Sequence, residues 1–256
     1  MEEVERVHIG WVPIDAVTMQ QAIDRVSRQL ASGAGHKFMI SGVNAHFVNS
    51  AEKELRFANL LAKNDLNVAD GISLVLAARI FGVRLPCRVT GIDLMVELCG
   101  LALETGRSVY LLGGMPGAAQ GAATFLMKRF PELKIAGVDR PPMGKEFDPD
   151  VVSEIKKRIS DAKPDFLFVC LGVPNQEYWI DEHAADLPVR VVMGNGAAFD
   201  VLAGFFERPP LHVQRLGLEW LHRLLREPRR LWRRYMLGNF QFLETLVHQQ
   251  LAGRRV

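Results

Sequence analysis

Residues 67–71 read NVADG, and Asp70 in that run is the first side chain placed to do chemistry. An apolar strand pattern runs out into Asp70-Gly71, and a helical pattern, ISLVLAARIFG, starts at once. A carboxylate at a strand's carboxyl end has two uses. It caps the following helix by accepting a first-turn backbone N–H, or it takes a proton from a substrate hydroxyl held beside it. The position suits both, and an exposed crevice carboxylate is ionised at pH 7. Arg88, in PCRVTG, lies in a turn between two helical patterns with Thr90 and Gly91 beside it, an arrangement that can hold a diphosphate. Asn44 and His46, in SGVNAH, suit a helix cap and a packing residue. Gln176 and Glu177 open a helix after GVPN, where Glu177 answers the helix dipole and Gln176 has no such local use.

These residues need a scaffold that brings strand ends together. Short apolar runs bounded by Gly, Pro and Asn alternate with helical patterns, as βαβ units do. The predicted strands are RVHIGWVPI, KFMISGV, LNVAD, SVYLLGG, LKIAGVD, DFLFVCLG and VRVVMGN. Helices are predicted near 18–32, 46–62, 72–81, 91–105, 117–129, 149–161, 175–185 and 197–203. Several strands are apolar throughout, the mark of a sheet covered on both faces. The predicted fold is α/β, a Rossmann-like, doubly wound, mostly parallel sheet whose ligands sit outside the strands' carboxyl ends. There the turns SGVNAH, VADG, LLGG, CLGVPNQE and MGNGAAFD converge on one crevice. Gly113, Gly114, Gly172 and Gly194 let backbone N–H groups approach a ligand, which points to a nucleotide or sugar-nucleotide site. YLLGGMPGAAQG does not fit G-x-G-x-x-G, so a nicotinamide cofactor is poorly supported.

Composition narrows the class. The 256 residues, 48% hydrophobic and 23% charged, suit one α/β body with a small appendage. Cys87, Cys99 and Cys170 have no metal-ligand spacing and read as reduced thiols. The opening MEEVERVHIGW lacks the features of a signal peptide, and the longest apolar runs fall short of the roughly 20 residues of a spanning helix. The sequence thus predicts a cytoplasmic chain that does not cross a membrane.

The net charge of +2 conceals an asymmetry. From Phe205 to Val256 there are ten Arg, no Lys and four Glu. Arginine alone suits phosphate or anionic lipid headgroups. LHVQRLGLEWLHRLLR places Val213, Leu216, Trp220 and Leu224 on one helical face, and a second amphipathic helix resumes after Pro228. The predicted division is a catalytic core, 1–205, and a basic amphipathic helical appendage, 206–256, at a membrane surface. Arg223, Arg230 and Arg233 share a face if the helix axis continues past Pro228. Apolar surface on such an appendage could also pair two chains. Nucleic acid is disfavoured, because the aromatics lie on an amphipathic helix and not on a stacking platform.

Taken together and in order, NVADGISLVLAARIFG, CRVTGIDL, VYLLGG, CLGVPNQEYWI, GNGAAFDVLAG, RPP and GLEWLHRLLREPRRLWRR resemble the WecG/TagA/CpsF family of bacterial glycosyltransferases (glycosyltransferase family 26) along nearly the whole chain. The resemblance implies a peripheral membrane enzyme of cell-surface polysaccharide, teichoic acid or exopolysaccharide synthesis. Such enzymes move a hexose-type sugar (N-acetylmannosamine, its uronic acid or glucose) from a UDP-sugar donor to a sugar on undecaprenyl diphosphate. Transfer inverts the anomeric carbon and needs no metal or cofactor. By the same resemblance Asp70 matches the proposed base and Arg88 the residue that steadies the diphosphate leaving group. Asn44 and Gln176 fall near the donor sugar, and Arg223, Arg230 and Arg233 near the lipid diphosphate.

Two departures touch the expected crevice. Many members have Thr where this chain has Gly42, and many have a His-Gly-Tyr-Phe-like loop where this chain reads DRPPMGKEF. Two rival readings are a non-catalytic nucleotide-sugar-binding protein of the same fold and an oxidoreductase. Retention of Asp70, Arg88, Asn44 and Gln176 opposes the first, and the missing dinucleotide fingerprint opposes the second.

Overall fold

The computed structural model describes residues 5–33, 35–226 and 228–251, without the side chains of residues 211, 215, 223, 230 and 233–235. In chain order the elements are β1 (Arg6–Ile9), β2 (Val12–Asp15), α1 (Met19–Ala31), β3 (Phe38–Val43), α2 (Ala45–Lys53), α3 (Leu55–Lys63), β4 (Leu66–Ala69), α4 (Ile72–Ile80), α5 (Gly91–Glu104), β5 (Ser108–Gly113), α6 (Ala118–Arg129), β6 (Lys134–Asp139), α7 (Pro149–Ala162), β7 (Phe166–Cys170), α8 (Asn175–His183), β8 (Val191–Gly194), α9 (Ala198–Leu202), α10 (Leu211–Arg215), α11 (Glu219–Arg226) and α12 (Pro228–Leu251).

Six strands form one parallel sheet in the order β4-β3-β8-β7-β5-β6. The apolar strands are explained by alternation across two covered faces. Phe38, Ile40, Val109, Leu111, Phe166, Phe168, Val191 and Met193 join a core with α1, α5 and α6. The intervening Tyr110, Leu112, Leu167, Val169 and Val192 pack on the other face with Ile155 and Ile159 of α7 and Trp179 of α8. The fold is the Rossmann-like α/β sheet that the strand and helix patterns predict.

Three elements differ from the sequence expectation, each for a local reason. RVHIGWVPI is not one strand of the sheet but the hairpin β1–β2, turned at Gly10, whose φ of 59° suits glycine. The hairpin is tied to β4 through buried Asp15, which accepts from Arg6, Arg25 and the Asn67 backbone N–H at 2.7 Å. The 46–62 helix breaks into α2 and α3 at Glu54, whose backbone is extended. The stretch LHVQRLGLEWLHRLLR breaks at Gly217, φ 70°, into α10 and α11. Leu216 consequently leaves the inner face and is 66% exposed.

α12 is docked on the body. Phe242 and Leu246 enter a core with α2, α3, α4 and the hairpin. At its far end the Gln249 side chain accepts from Gly10 N–H at 2.8 Å and donates to the His8 carbonyl at 2.9 Å. The opposite face leaves Trp232, Met236, Phe240 and Val247 exposed at helical spacing. Among the described residues no helix is long and apolar enough to cross a membrane.

Candidate active site

Strand β4 ends at Ala69, and the Asp70 N–H donates to the carbonyl of Val43, the last residue of β3, at 2.8 Å. Asp70 is therefore fixed at the carboxyl edge of two neighbouring strands. It does not cap the helix that follows it: α4 is capped by Gly71 with no side-chain hydrogen bond. Its Oδ1 instead accepts, at 3.1 Å, the N–H of Gly91, the first residue of α5. The cap lies 21 residues downstream and on another helix, so local propensity could not show it. The α5 dipole and this N–H favour the ionised carboxylate.

Burial works against ionisation. Asp70 is partly exposed to the crevice but otherwise enclosed by protein, and burial, aided by the negative charge of Glu219, pushes its pKa up to about 6. The Gly91 N–H, Arg88 and the Asn44 side chain pull the other way. The expectation of an exposed, fully ionised carboxylate is corrected to one that is largely ionised at pH 7 and half protonated near pH 6.

Gly42 has a local reason to lack a side chain. A Cβ added there would lie 3.3 Å from Gly91 Cα and 3.6 Å from Asp70 Cβ, so a missing side chain lets α5 close on β3. Asn195 Nδ2 fixes the same turn by donating to the Gly91 carbonyl at 3.1 Å. Asn44 caps α2, its Oδ1 accepting from His46 N–H at 3.0 Å, and its side chain also hydrogen-bonds the Asp70 carboxylate.

Arg88 reaches out of the core. It donates from Nη1 to Glu219 Oε2 at 2.6 Å and from Nη2 to the Gln214 carbonyl at 3.0 Å, both from the segment after residue 205. Arg208 forks Asp93 at 2.7 and 2.9 Å. Although burial opposes it, that fork and the Thr90 hydroxyl hold the Asp93 carboxyl below its ordinary value. Asp93 in turn pairs with Thr90, the cap of α5. Asp70, Asn44 and Arg88 line a cavity of about 610 Å³ with Thr90, Arg208 and Glu219. Its apolar wall comes from Leu76 and Ile80 of α4, Trp220 of α11, and Phe242, Leu243 and Leu246 of α12.

The glycine turns lie farther along the same sheet edge and do not line this cavity. Gly113 (φ 110°) ends β5 and Gly114 (φ 79°) follows it, its N–H donating to the Cys170 carbonyl at 2.7 Å. A Cβ at Gly172 would meet nothing, so that turn is open to a ligand. Gln176 is only 1% exposed. It stands behind the β8 turn, its Oε1 accepting from Gly196 N–H at 2.8 Å and its Nε2 donating to Glu177 Oε1 at 2.7 Å. Gly194 leaves room for that pair, since a Cβ there would come 2.9 Å from Gln176 Nε2. Glu177 does not answer the helix dipole as a charge: burial pushes its pKa up to about 8, so it is neutral at pH 7. Arg223 is carried by α11 and Arg230 and Arg233 by α12, with side chains outside the described residues.

Arg208, Asp93 and Glu219 are not marked as site residues by their local sequence. Arg208 and Glu219 sit in the RPP and GLEW blocks, whose local patterns are a chain breaker and a helix. Their signal was the isolated charge in each, with no pattern to say where it points.

The arrangement joins a carboxylate of raised pKa to two arginines in a cleft with one apolar wall. It can accept a proton from a hydroxyl while the guanidinium groups face a developing negative charge. The family model described as "Glycosyl transferase WecG/TagA/CpsF family" matches residues 7–256. A protein of Bacillus subtilis (strain 168), named N-acetylglucosaminyldiphosphoundecaprenol N-acetyl-beta-D-mannosaminyltransferase, is 33% identical over 212 residues, covering 83% of this chain and 80% of that protein. A protein of the same name from Staphylococcus aureus (strain MRSA252) is 30% identical over 254 residues, covering 98% of this chain and 94% of its own. With the model matched over nearly its whole length, this chain belongs to the WecG/TagA/CpsF family of glycosyltransferases.

Proposed function

We propose that this enzyme transfers N-acetylmannosamine, or a closely related hexose, from a UDP-sugar to a sugar carried on a polyprenyl diphosphate. The observation that carries the reading is Asp70, held by Gly91 N–H inside a cavity that Arg88 and an apolar wall share. The relatives' names supply the sugar and the lipid-linked acceptor. An oxygen of the Asp70 carboxylate takes the proton from an acceptor hydroxyl as the hydroxyl oxygen attacks the anomeric carbon. The bond from that carbon to the UDP oxygen breaks, and the configuration inverts. Arg88 faces the charge that accumulates on the departing diphosphate.

The open turn at Gly172, beside the strand ends that Gly113, Gly114 and Gly194 shape, suits the nucleotide, and Asn44 the sugar beside Asp70. Gln176 serves the donor through the turn it braces. Residues 206–256 form the appendage that meets the cytoplasmic face of the membrane. Two features support this: the exposed apolar row on α12 and the appendage's arginine excess. On this reading Arg223, Arg230 and Arg233 serve the lipid diphosphate.

The test is transfer by the full chain from UDP-N-acetylmannosamine, UDP-glucose or UDP-N-acetylglucosamine to a short-chain polyprenyl-diphosphate N-acetylglucosamine, with EDTA present. The proposal expects one donor, N-acetylmannosamine first, to give a disaccharide lipid and free UDP. Binding of UDP without transfer from any of these donors would leave only a binding protein.

A further inference from the structure

Glu219 lies on α11, which the sequence offers only as an amphipathic helix, yet its carboxylate is the meeting point of the site's charges. Oε2 accepts from Arg88 Nη1 at 2.6 Å, and Oε1 stands 3.7 Å from Arg208 Nη2. The Arg88 and Glu219 side chains are 16% and 26% exposed, so the pair is sheltered from bulk water. Arg208 continues to Asp93, Asp93 to the Thr90 cap of α5, and Gly91 of the same turn to Asp70. One chain of contacts thus runs from the helix after residue 217 back to the carboxylate at the strand edge.

Arginine carries about 2 kcal/mol of rotamer entropy, so a free Arg88 would have to be ordered during the reaction. Glu219 and the Gln214 carbonyl order it beforehand using one N–H each from Nη1 and Nη2, which leaves Nε–H and two further N–H donors for a substrate anion.

We propose that Glu219 is a positioning residue for the transfer reaction: from α11 it holds Arg88 and Arg208 against the Asp70 cavity, so the two arginines are in place only while α11 is docked. The inference rests on the reading of Asp70 and Arg88 given above. Docking itself is built closely, since a Cβ at Gly217 would come 2.5 Å from Ile72 of α4. Several charged or titratable groups share the cavity with Asp70. They are Arg88 before α5, Arg208 and Glu207 before α10, Glu219 and His222 on α11, and His46 on α2; Asp93 on α5 joins them through Arg208. Of these, Glu219 raises and Arg88 lowers the Asp70 pKa.

Glu219→Ala removes the clamp, whereas Glu219→Gln keeps an acceptor for Arg88 and removes only the charge. In the full chain, with UDP-N-acetylmannosamine and the short-chain acceptor, Glu219→Ala is expected to lower kcat/KM by ~10–100-fold. Glu219→Gln should recover to within ~5-fold of wild type, and the acid limb of its pH profile should move to lower pH, because loss of a negative charge favours ionised Asp70. A contact that merely docks α11 would lower the melting temperature and leave the limb in place. Beside an inactive Asp70→Asn, an unmoved limb in Glu219→Gln overturns the proposal, as does, in either case, a Glu219→Ala variant within ~3-fold of wild type. If Glu219→Ala does not fold, the limb of Glu219→Gln decides alone. Full activity of Asp70→Asn would sink the base reading only, and recovery of Glu219→Ala activity in Glu219→Gln would still judge Glu219.

Discussion

The raised pKa of Asp70 makes pH the first perturbation to apply. Moving a carboxyl from 3.8 to about 6 disfavours its ionised form by ~3 kcal/mol. That figure is an upper limit, because water in the open cavity screens part of it. The sign is fixed by the role: a base must be ionised, so activity is retained above pH 6 and lost below it. About nine-tenths of the enzyme is ionised at pH 7 and about one-tenth at pH 5. The assay is kcat/KM for sugar transfer between pH 4.5 and 8.5, measured with UDP release and checked for reversibility by returning each sample to pH 7.5. The expected profile is flat above pH 7 and falls about tenfold per unit below a break near pH 6. A break near pH 4 would mean that burial does not govern this carboxylate, and a profile with no acid limb would remove Asp70 as the base.

Three further perturbations separate scaffold from chemistry. Glu177→Gln should raise stability at pH 8 by roughly 1–3 kcal/mol. The folded pKa of Glu177 is raised to about 8 from an ordinary 4.5, so its contribution is present below pH 4.5 and lost as pH rises through 8. Urea melts at pH 5 and pH 8 that shift equally in the variant and the wild type would contradict this. Gly113→Ala places a methyl against the Cys170 carbonyl at a φ of 110°, and should cost ~3 kcal/mol or more; an unchanged urea midpoint would rule out the close approach of β5 and β7 at that turn. Gly42→Ala, with its Cβ 3.3 Å from Gly91 Cα, should lengthen the Gly91–Asp70 hydrogen bond and cut kcat/KM by about 3–10-fold with only a small loss of stability. A wild-type rate there would show that α5 yields freely.

The sheet was legible because two-faced burial leaves an unmistakable pattern: runs such as FLFVC and VVMG have no polar side to show. Asp70, Arg88 and Asn44 were legible as strand-end and turn residues, and they do line one cavity. What joins them was not legible. The cap of Asp70 comes from Gly91, a contact set by how α5 packs on β3 and not by neighbours in sequence. Arg208 meets the site through its fork to Asp93, and Glu219 meets it because Gly217 turns the chain back onto α4; a helical wheel drawn through that glycine carries Leu216 to the wrong face. Gln176 looked free for a ligand because nothing in its own turn marks Glu177 as its neutral partner, and its second partner, Gly196, lies in the turn after another strand. Glu177 looked like a surface charge at a helix start, yet α8 packs that start against β8.

The central claim, that Asp70 is the base and not merely a cap, is tested most directly by Asp70→Asn, measured for both turnover and melting temperature. Asparagine keeps an oxygen for the Gly91 N–H but cannot take the proton. Turnover should fall by ~10²–10⁴-fold, while the melting temperature stays level or rises, because a carboxylate destabilised by burial has been removed. Turnover within a few-fold of wild type in a folded Asp70→Asn enzyme would contradict the account.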